Sequence, residues 1–289
     1  MGDAAGAPTR GRRRKVRALL LLAPAGLALA VLFGYPLLRM AGLSVRSAFP
    51  GPFTYTLAHY AKFVTDPYFQ RVTQTTFLLA VIVTALTAVI GYPVAYYFVR
   101  SRSRHKHWVF IGVISPLLVS IVVRTIGWTI VLGNEGLVNR LLGGLGLIRE
   151  PLALMNSLAS VTVGMVHVLL PFMILSIASV LGKLDPALEE SAQILGANPW
   201  RTFWRVTLPL SIQGVAAGSV LVFCLTIGAY ITPWWLGRGK VLLFSTTIYD
   251  QVLVIIDWPF GAAAAMVLVA ATLAVLLGYF ALIHRIRGA

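Results

Sequence analysis

The sequence predicts an all-α integral membrane protein with six transmembrane helices and both termini cytoplasmic. Three observations carry this reading. The 289 residues are 58% hydrophobic and only 11% charged, with a mean hydropathy of +0.84, whereas a soluble domain is nearer about 25% charged. Six stretches are long enough and poor enough in charge to cross a bilayer. The basic residues, 24 against 9 acidic for a net charge of +15, are concentrated in the connections on one side. On a soluble chain that excess suggests nucleic acid; with this apolar content it points to lipid. The single cysteine, Cys224, excludes an internal disulfide and a cysteine-cluster metal site. The histidines at 59, 105, 107, 167 and 284 form no HExxH pair.

A hydrocarbon core of about 30 Å needs about 20 residues of helix. Ala18–Leu38 supplies 21 uncharged residues and Val72–Val99 supplies 28. Residues 108–134 form a third stretch, interrupted only by Arg124. Residues 151–182 and 206–237 give 32 each, and 258–284 gives 27. The expected organisation is a basic segment 1–17, a six-helix domain 18–284 and a short tail 285–289.

Charge sets the orientation. The amino end carries Arg10, Arg12, Arg13, Arg14, Lys15 and Arg17, and the 100–106 loop adds four more basic residues. With Lys183, Arg201, Arg205, Arg285 and Arg287, 15 of the 24 basic residues fall on one side. A cleaved signal peptide is the rival reading of the amino end. The first apolar run continues to Leu38, longer than a usual signal core. A DNA-binding arm is the rival for GRRRKVR, but its place directly beside an apolar 21-mer favours a membrane anchor.

The cytoplasmic connection 183–211 is the most informative loop. Asp185-Pro186 is an N-cap followed by proline at the first helical position. Glu189 and Glu190 sit near the favourable amino end of the dipole. Leu188, Ala192 and Leu195 share a face, and Gly196 stops the helix as a residue tolerant of a left-handed backbone. Asn198-Pro199 repeats the start signal. The second short helix carries Trp200, Phe203 and Trp204, with Arg201 and Arg205 beside them, and Pro209 is expected to end it. Two readings of this helix pair stay open on physical grounds: a docking knuckle for another protein, or an amphipathic hairpin at the lipid surface.

Glu190-Ser191-Ala192-x3-Gly196-x9-Val206-x-Leu208-Pro209 resembles the EAA loop of ABC importer permeases, E-A-A-x3-G-x9-I-x-L-P. The departures are Ser191 for alanine and Val206 for isoleucine. Further resemblance lies in Gly91-Tyr92-Pro93, in Val123-Arg124-Thr125 with Trp128, in Leu169-Leu170-Pro171-Phe172-Met173 and in Asp257-Trp258-Pro259. These are similar to the spermidine/putrescine importer permeases and run from about the first span to the sixth. Sulfate, ferric-ion, phosphonate and opine importers share much of the scaffold.

The resemblance implies a type I ABC importer permease subunit in a bacterial cytoplasmic membrane, with polyamine import ahead of the other solutes. It implies an ABC ATPase dimer carrying the ATP and Mg, a second and different permease, and an extracytoplasmic binding protein. No cofactor would be bound by this chain. It assigns ATPase coupling to Glu190, Ala192, Gly196, Trp200, Phe203, Trp204, Leu208 and Pro209, with closure of the ATPase dimer transmitted through 185–205 to give alternating access.

Several absences agree with a non-catalytic chain. Gly237-Arg238-Gly239-Lys240 lacks the spacing of a phosphate loop, and no Ser/His/Asp grouping can be proposed. None of the six stretches contains Asp or Glu, which weakens an ion-coupled secondary transporter. His167 reads as a hydrogen-bonded bundle residue. Arg124, about 25 Å along a continuous helix from His107, is expected in the outer part of the core. There, snorkelling and a role at the outer gate are both open. For a cationic substrate the outer side offers Glu135, Asp250 and Asp257 with Trp128, Trp234, Trp235 and Trp258. The bland alternative is an interfacial aromatic belt, with the acids paired to Arg238, Lys240 or the binding protein.

Overall fold

The computed structural model describes residues 22–47 and 54–288, with side chains as far as Ala281. The basic segment 1–17 lies outside the described residues, as do the side chains of the 285–289 tail. The chain is helical, and six stretches are long and apolar enough to cross a membrane. They are Leu22–Ser44 (α1), Pro67–Arg100 (α3), Ile121–Gly144, Leu158–Leu181 (α7), Pro199–Ile227 (α9) and Trp258–Ala281. The last belongs to α12, which runs from Trp258 to Gly288. Shorter helices are Ala58–Thr65 (α2), Lys106–Leu118 (α4), Pro186–Ile194 (α8), Ile231–Gly237 (α10) and Phe244–Tyr249 (α11).

Helix α7 is the centre of the bundle, packed between α3 and α9. Its Met165, Met173, Ile177 and Leu181 are fully enclosed, with Leu79 and Val83 of α3 and Val222 of α9. Small residues allow this approach, as expected where helices meet without help from water. A Cβ on Gly218 of α9 would lie 2.6 Å from Met173 Sδ, and one on Gly164 of α7 would lie 2.5 Å from Leu236 Cδ1 of α10. Several hydroxyls inside the bundle are satisfied within their own helix and others across helices. Thr76, Thr87, Thr162 and Thr226 donate to carbonyls four residues earlier, and Tyr92 Oη meets Ser211 Oγ at 2.6 Å. At the outer end Phe63, Phe69, Phe244 and Phe260 form a second cluster, with Phe63 and Phe260 stacked at 5.4 Å. Helix α1 is almost unburied within this subunit and packs on α12.

The structure corrects the sequence reading in three places. The uncharged stretch 108–134 is not one helix. It is divided at Val119-Ser120, both extended, into α4 and Ile121–Leu132 (α5), and a turn then leads to Leu137–Gly144 (α6). Pro116 cannot donate to the Gly112 carbonyl, and α4 stops two residues later. The depth inferred for Arg124 from a continuous rise therefore does not hold; Arg124 lies in the first turn of α5. The stretch 206–237 is likewise divided, at Gly228–Tyr230, between α9 and α10.

The third correction concerns the loop. The second short helix is continuous with the fifth span, and Pro209 does not end it. Residues Phe203–Thr207 form a π-turn in which Leu208 N–H reaches the Phe203 carbonyl. Pro209 has no N–H for the Arg205 carbonyl, so a wider turn before it keeps the helix running. Cysteines replacing Ser103 and Gln193, in a background with Cys224 replaced, should react with an impermeant thiol reagent in inside-out vesicles and not in intact cells. Labelling of both in intact cells would invert the topology.

The candidate coupling loop and outer face

The loop is built from two caps and one glycine. Asp185 accepts from Ala187 N–H at 2.9 Å and starts α8. The helix ends in a Schellman arrangement: Ala197 N–H to the Ala192 carbonyl and Gly196 N–H to the Gln193 carbonyl, each at 3.0 Å. That closure requires a left-handed residue, and Gly196 has φ +87°. Asn198 then accepts from Arg201 N–H at 2.7 Å and opens α9. The chain thus turns back within a few residues, at an angle fixed by backbone hydrogen bonds.

This hairpin is tied to the bundle by Glu189, to which the sequence reading gave only a helix-dipole role. Glu189, on the inner face of α8, pairs with Arg100 at the end of α3 at 3.1 Å, with both side chains about 15% exposed. The same Oε1 accepts from Thr207 Oγ1 of α9 at 3.1 Å. Arg100 also donates to the Leu184 carbonyl at 3.2 Å. One carboxylate therefore holds α3, α8 and α9 together. Phe203 turns inward as well, edge-on to Tyr92 and Tyr96 of α3 at 5.3 and 6.1 Å.

The opposite face is open. Ile194 is 85% exposed, Leu195 88% and Trp200 70%, with Leu188 and Trp204 about half exposed. Glu190 projects on the same exposed side. Ala192 and Leu208 are partly covered, and Pro209 is exposed. Large apolar side chains displayed together beside a carboxylate mark an interaction surface rather than a finished exterior.

The outer candidates are dispersed. Glu135 is exposed in the turn between α5 and α6, and Trp258 is exposed at the start of α12. Asp257 accepts from Phe260 N–H at 3.1 Å, so it caps α12. Trp128 lies inside the bundle and donates its indole N–H to His167 Nδ1 at 3.1 Å. Arg124 is partly buried nearby, with Nε and Nη1 enclosed and unpartnered. Asp250 begins the π-turn Asp250–Val254 that extends α11, and its side chain is exposed. No group of three or more His, Cys, Asp or Glu that could hold a metal occurs among the described residues.

Residues 51–288 match the family described as the binding-protein-dependent transport system inner membrane component. The chain belongs to that family. It is 33% identical over 230 residues to the spermidine/putrescine transport system permease protein PotB of Escherichia coli K12, covering 80% of this chain and 82% of that protein. Against the same-named protein of Haemophilus influenzae it is 33% identical over 214 residues, 74% of each chain. It is 29% identical over 192 residues to a probable sulfate transport system permease protein of Zygnema circumcarinatum, covering 66% of this chain and 62% of that one. The fold matches a membrane chain of a bacterial alginate ABC transporter with a TM-score of 0.77 at 19% identity, over 95% and 96% of the two chains.

A binding-protein-dependent permease is a multi-pass inner-membrane component and not itself a catalyst. It works in an ABC importer complex with a periplasmic binding protein and an ATPase, which binds the ATP.

Two substitutions test the hairpin. Glu189→Ala leaves Arg100 largely buried without its counter-charge, a change that costs about 3–5 kcal/mol in buried pairs. Loop 183–207 should then be cut faster by trypsin at Lys183 and Arg201 while the spans stay inserted. Exchanging the two charges, Arg100→Glu with Glu189→Arg, should restore part of the protection. Gly196→Val forces a β-branched residue into a left-handed backbone and should abolish ATPase co-purification. Retained co-purification and transport in Gly196→Val would rule out a role for the turn.

Proposed function

We propose that this permease imports polyamines, and that it receives the ATPase through the exposed face of α8 and the start of α9. The observation that carries the docking half is the row Leu188, Ile194, Leu195, Trp200 and Trp204, apolar and exposed on the side assigned to the cytoplasm. In this reading Glu190, Ala192, Trp200 and Trp204 meet the ATPase. Gly196 sets the turn, while Phe203, Leu208 and Pro209 root the hairpin in the fifth span. A second, related permease supplies the other half of the pathway, and two ATPase copies serve the pair.

The polyamine half rests on the relatives named for spermidine and putrescine transport. A second reading, import of a small anion, draws on one observation: Arg124 keeps two buried, unpartnered N–H groups inside a span, and a buried cation of that kind favours an anionic partner. Uptake of labelled putrescine, spermidine and sulfate by proteoliposomes holding the complete importer separates the two. Putrescine or spermidine uptake that depends on ATP and on the binding protein is expected. Sulfate uptake without polyamine uptake would overturn the substrate and leave the importer in place.

A further inference from the structure

We propose that the break between α9 and α10 carries a binding site for a primary ammonium group of the substrate, formed by Tyr230, Tyr249 and Asp250 with Trp234 alongside. The inference rests on the polyamine reading for its substrate, but on this chain's own geometry for its place.

The break itself sets the location. Helix α9 ends at Ile227, and α10 begins at Ile231, where Thr232 packs against Gly164, the seventh residue of α7. At helical rise that is about 9 Å inside the outer end of α7, within the outer part of the membrane. Interrupted helix at that depth is tolerated only where it is buried in protein or lines a watered cavity, and half-helix ends of this kind hold substrates in other transporters. Here the break opens on a cavity of about 420 Å³ lined by Tyr230, Ser245, Tyr249, Val252, Leu253 and Leu268. Ser245 Oγ donates to the Ala229 carbonyl, so the backbone at the break is held open in a fixed shape.

The two lining tyrosines, with Trp234 and Asp250 beside the cavity, have the chemistry of a cation site. The Tyr230 and Tyr249 rings stack at 4.5 Å and 23°, and Trp234 lies 6.1 Å beyond Tyr230. Asp250 directly follows Tyr249 in the chain, and its side chain is exposed. Asp250 forms no ion pair with any described residue, so its charge is available to a ligand. Tyr249 is 37% exposed although Tyr230 covers one ring face, leaving its other face to a cation. Leu253 and Val254, more than 60% exposed, continue the surface as an apolar strip. An ammonium at the acid with methylenes along the strip is the arrangement a linear alkyl polyamine demands. A small inorganic anion has no use for either part.

A lipid ethanolamine headgroup offers the same primary ammonium, so the test separates the two sources. In proteoliposomes with the complete importer and saturating putrescine-loaded binding protein, putrescine transported per ATP hydrolysed is measured. Asp250→Asn and Tyr249→Leu should lower this ratio roughly tenfold while binding-protein-stimulated ATPase activity persists, and Tyr249→Phe should fall between them and the wild type. Independently, Leu253→Cys with Cys224→Ser is titrated as part of the complete importer in a nonionic detergent free of ammonium lipid. A cationic thiol reagent should react faster than an anionic one, putrescine should slow it, and Asp250→Asn should remove both effects. Equal reaction rates indifferent to putrescine overturn the site, as do variants that transport at the wild-type ratio. An effect that disappears once ethanolamine lipid is removed assigns the site to the headgroup and overturns the substrate assignment. Absence of putrescine uptake by the wild-type importer overturns the polyamine reading itself.

Discussion

In hydrocarbon every backbone amide and carbonyl must find a partner within the protein, because each unpaired group costs several kcal/mol. That constraint makes the chain helical and makes every interruption informative. Within the membrane-facing part the helices stop at Val119-Ser120 and at Gly228–Tyr230. Around the second, side chains take over: Thr232 meets Thr125 at 3.1 Å, and Ser245 reaches the Ala229 carbonyl. The second interruption is where we propose the ammonium site. Elsewhere many threonine hydroxyls, among them those of Thr76, Thr87, Thr162 and Thr226, fold back on their own helices.

At the cytoplasmic end the hairpin is tied to the bundle at both arms. A hairpin joined to its bundle by loops alone would move on its own when pressed. Here the π-turn at Phe203–Thr207 makes its second arm an extension of the fifth span, and Glu189 fixes its first arm to α3 and α9. Both arms therefore move with the bundle. In the coupling we propose, force applied at Ile194 or Trp200 passes into the helices that pack on α7.

Much of this was legible in the sequence. Length, hydropathy and the crowding of arginines identify the six spans, because the bilayer reads composition directly. The caps Asp185 and Asn198 and the stop at Gly196 announce themselves, since each depends on residue type and immediate neighbours alone. What the sequence hides is non-local. Pro116 and Pro209 look alike on paper. The first is followed two residues later by a break, whereas the second is absorbed by a π-turn, because tertiary packing decides which backbone bonds are replaced. Glu189 and Glu190 are also adjacent and identical in type. Only the fold shows that the first faces Arg100, 89 positions earlier, and the second faces outward. The pairing of Tyr230 with Tyr249 likewise depends on where the chain turns back at Arg238, which adopts φ +39°.

The central claim is that the exposed face of α8 is where the ATPase engages. A photo-crosslinking side chain placed at Ile194, with Ile212 on the same helical system as the control, tests it in the assembled importer. Ile212 is half exposed on α9 beyond the hairpin. The account predicts an adduct with the ATPase from position 194 and none from position 212. An importer that transports with ATP yet gives no ATPase adduct from position 194 would contradict it.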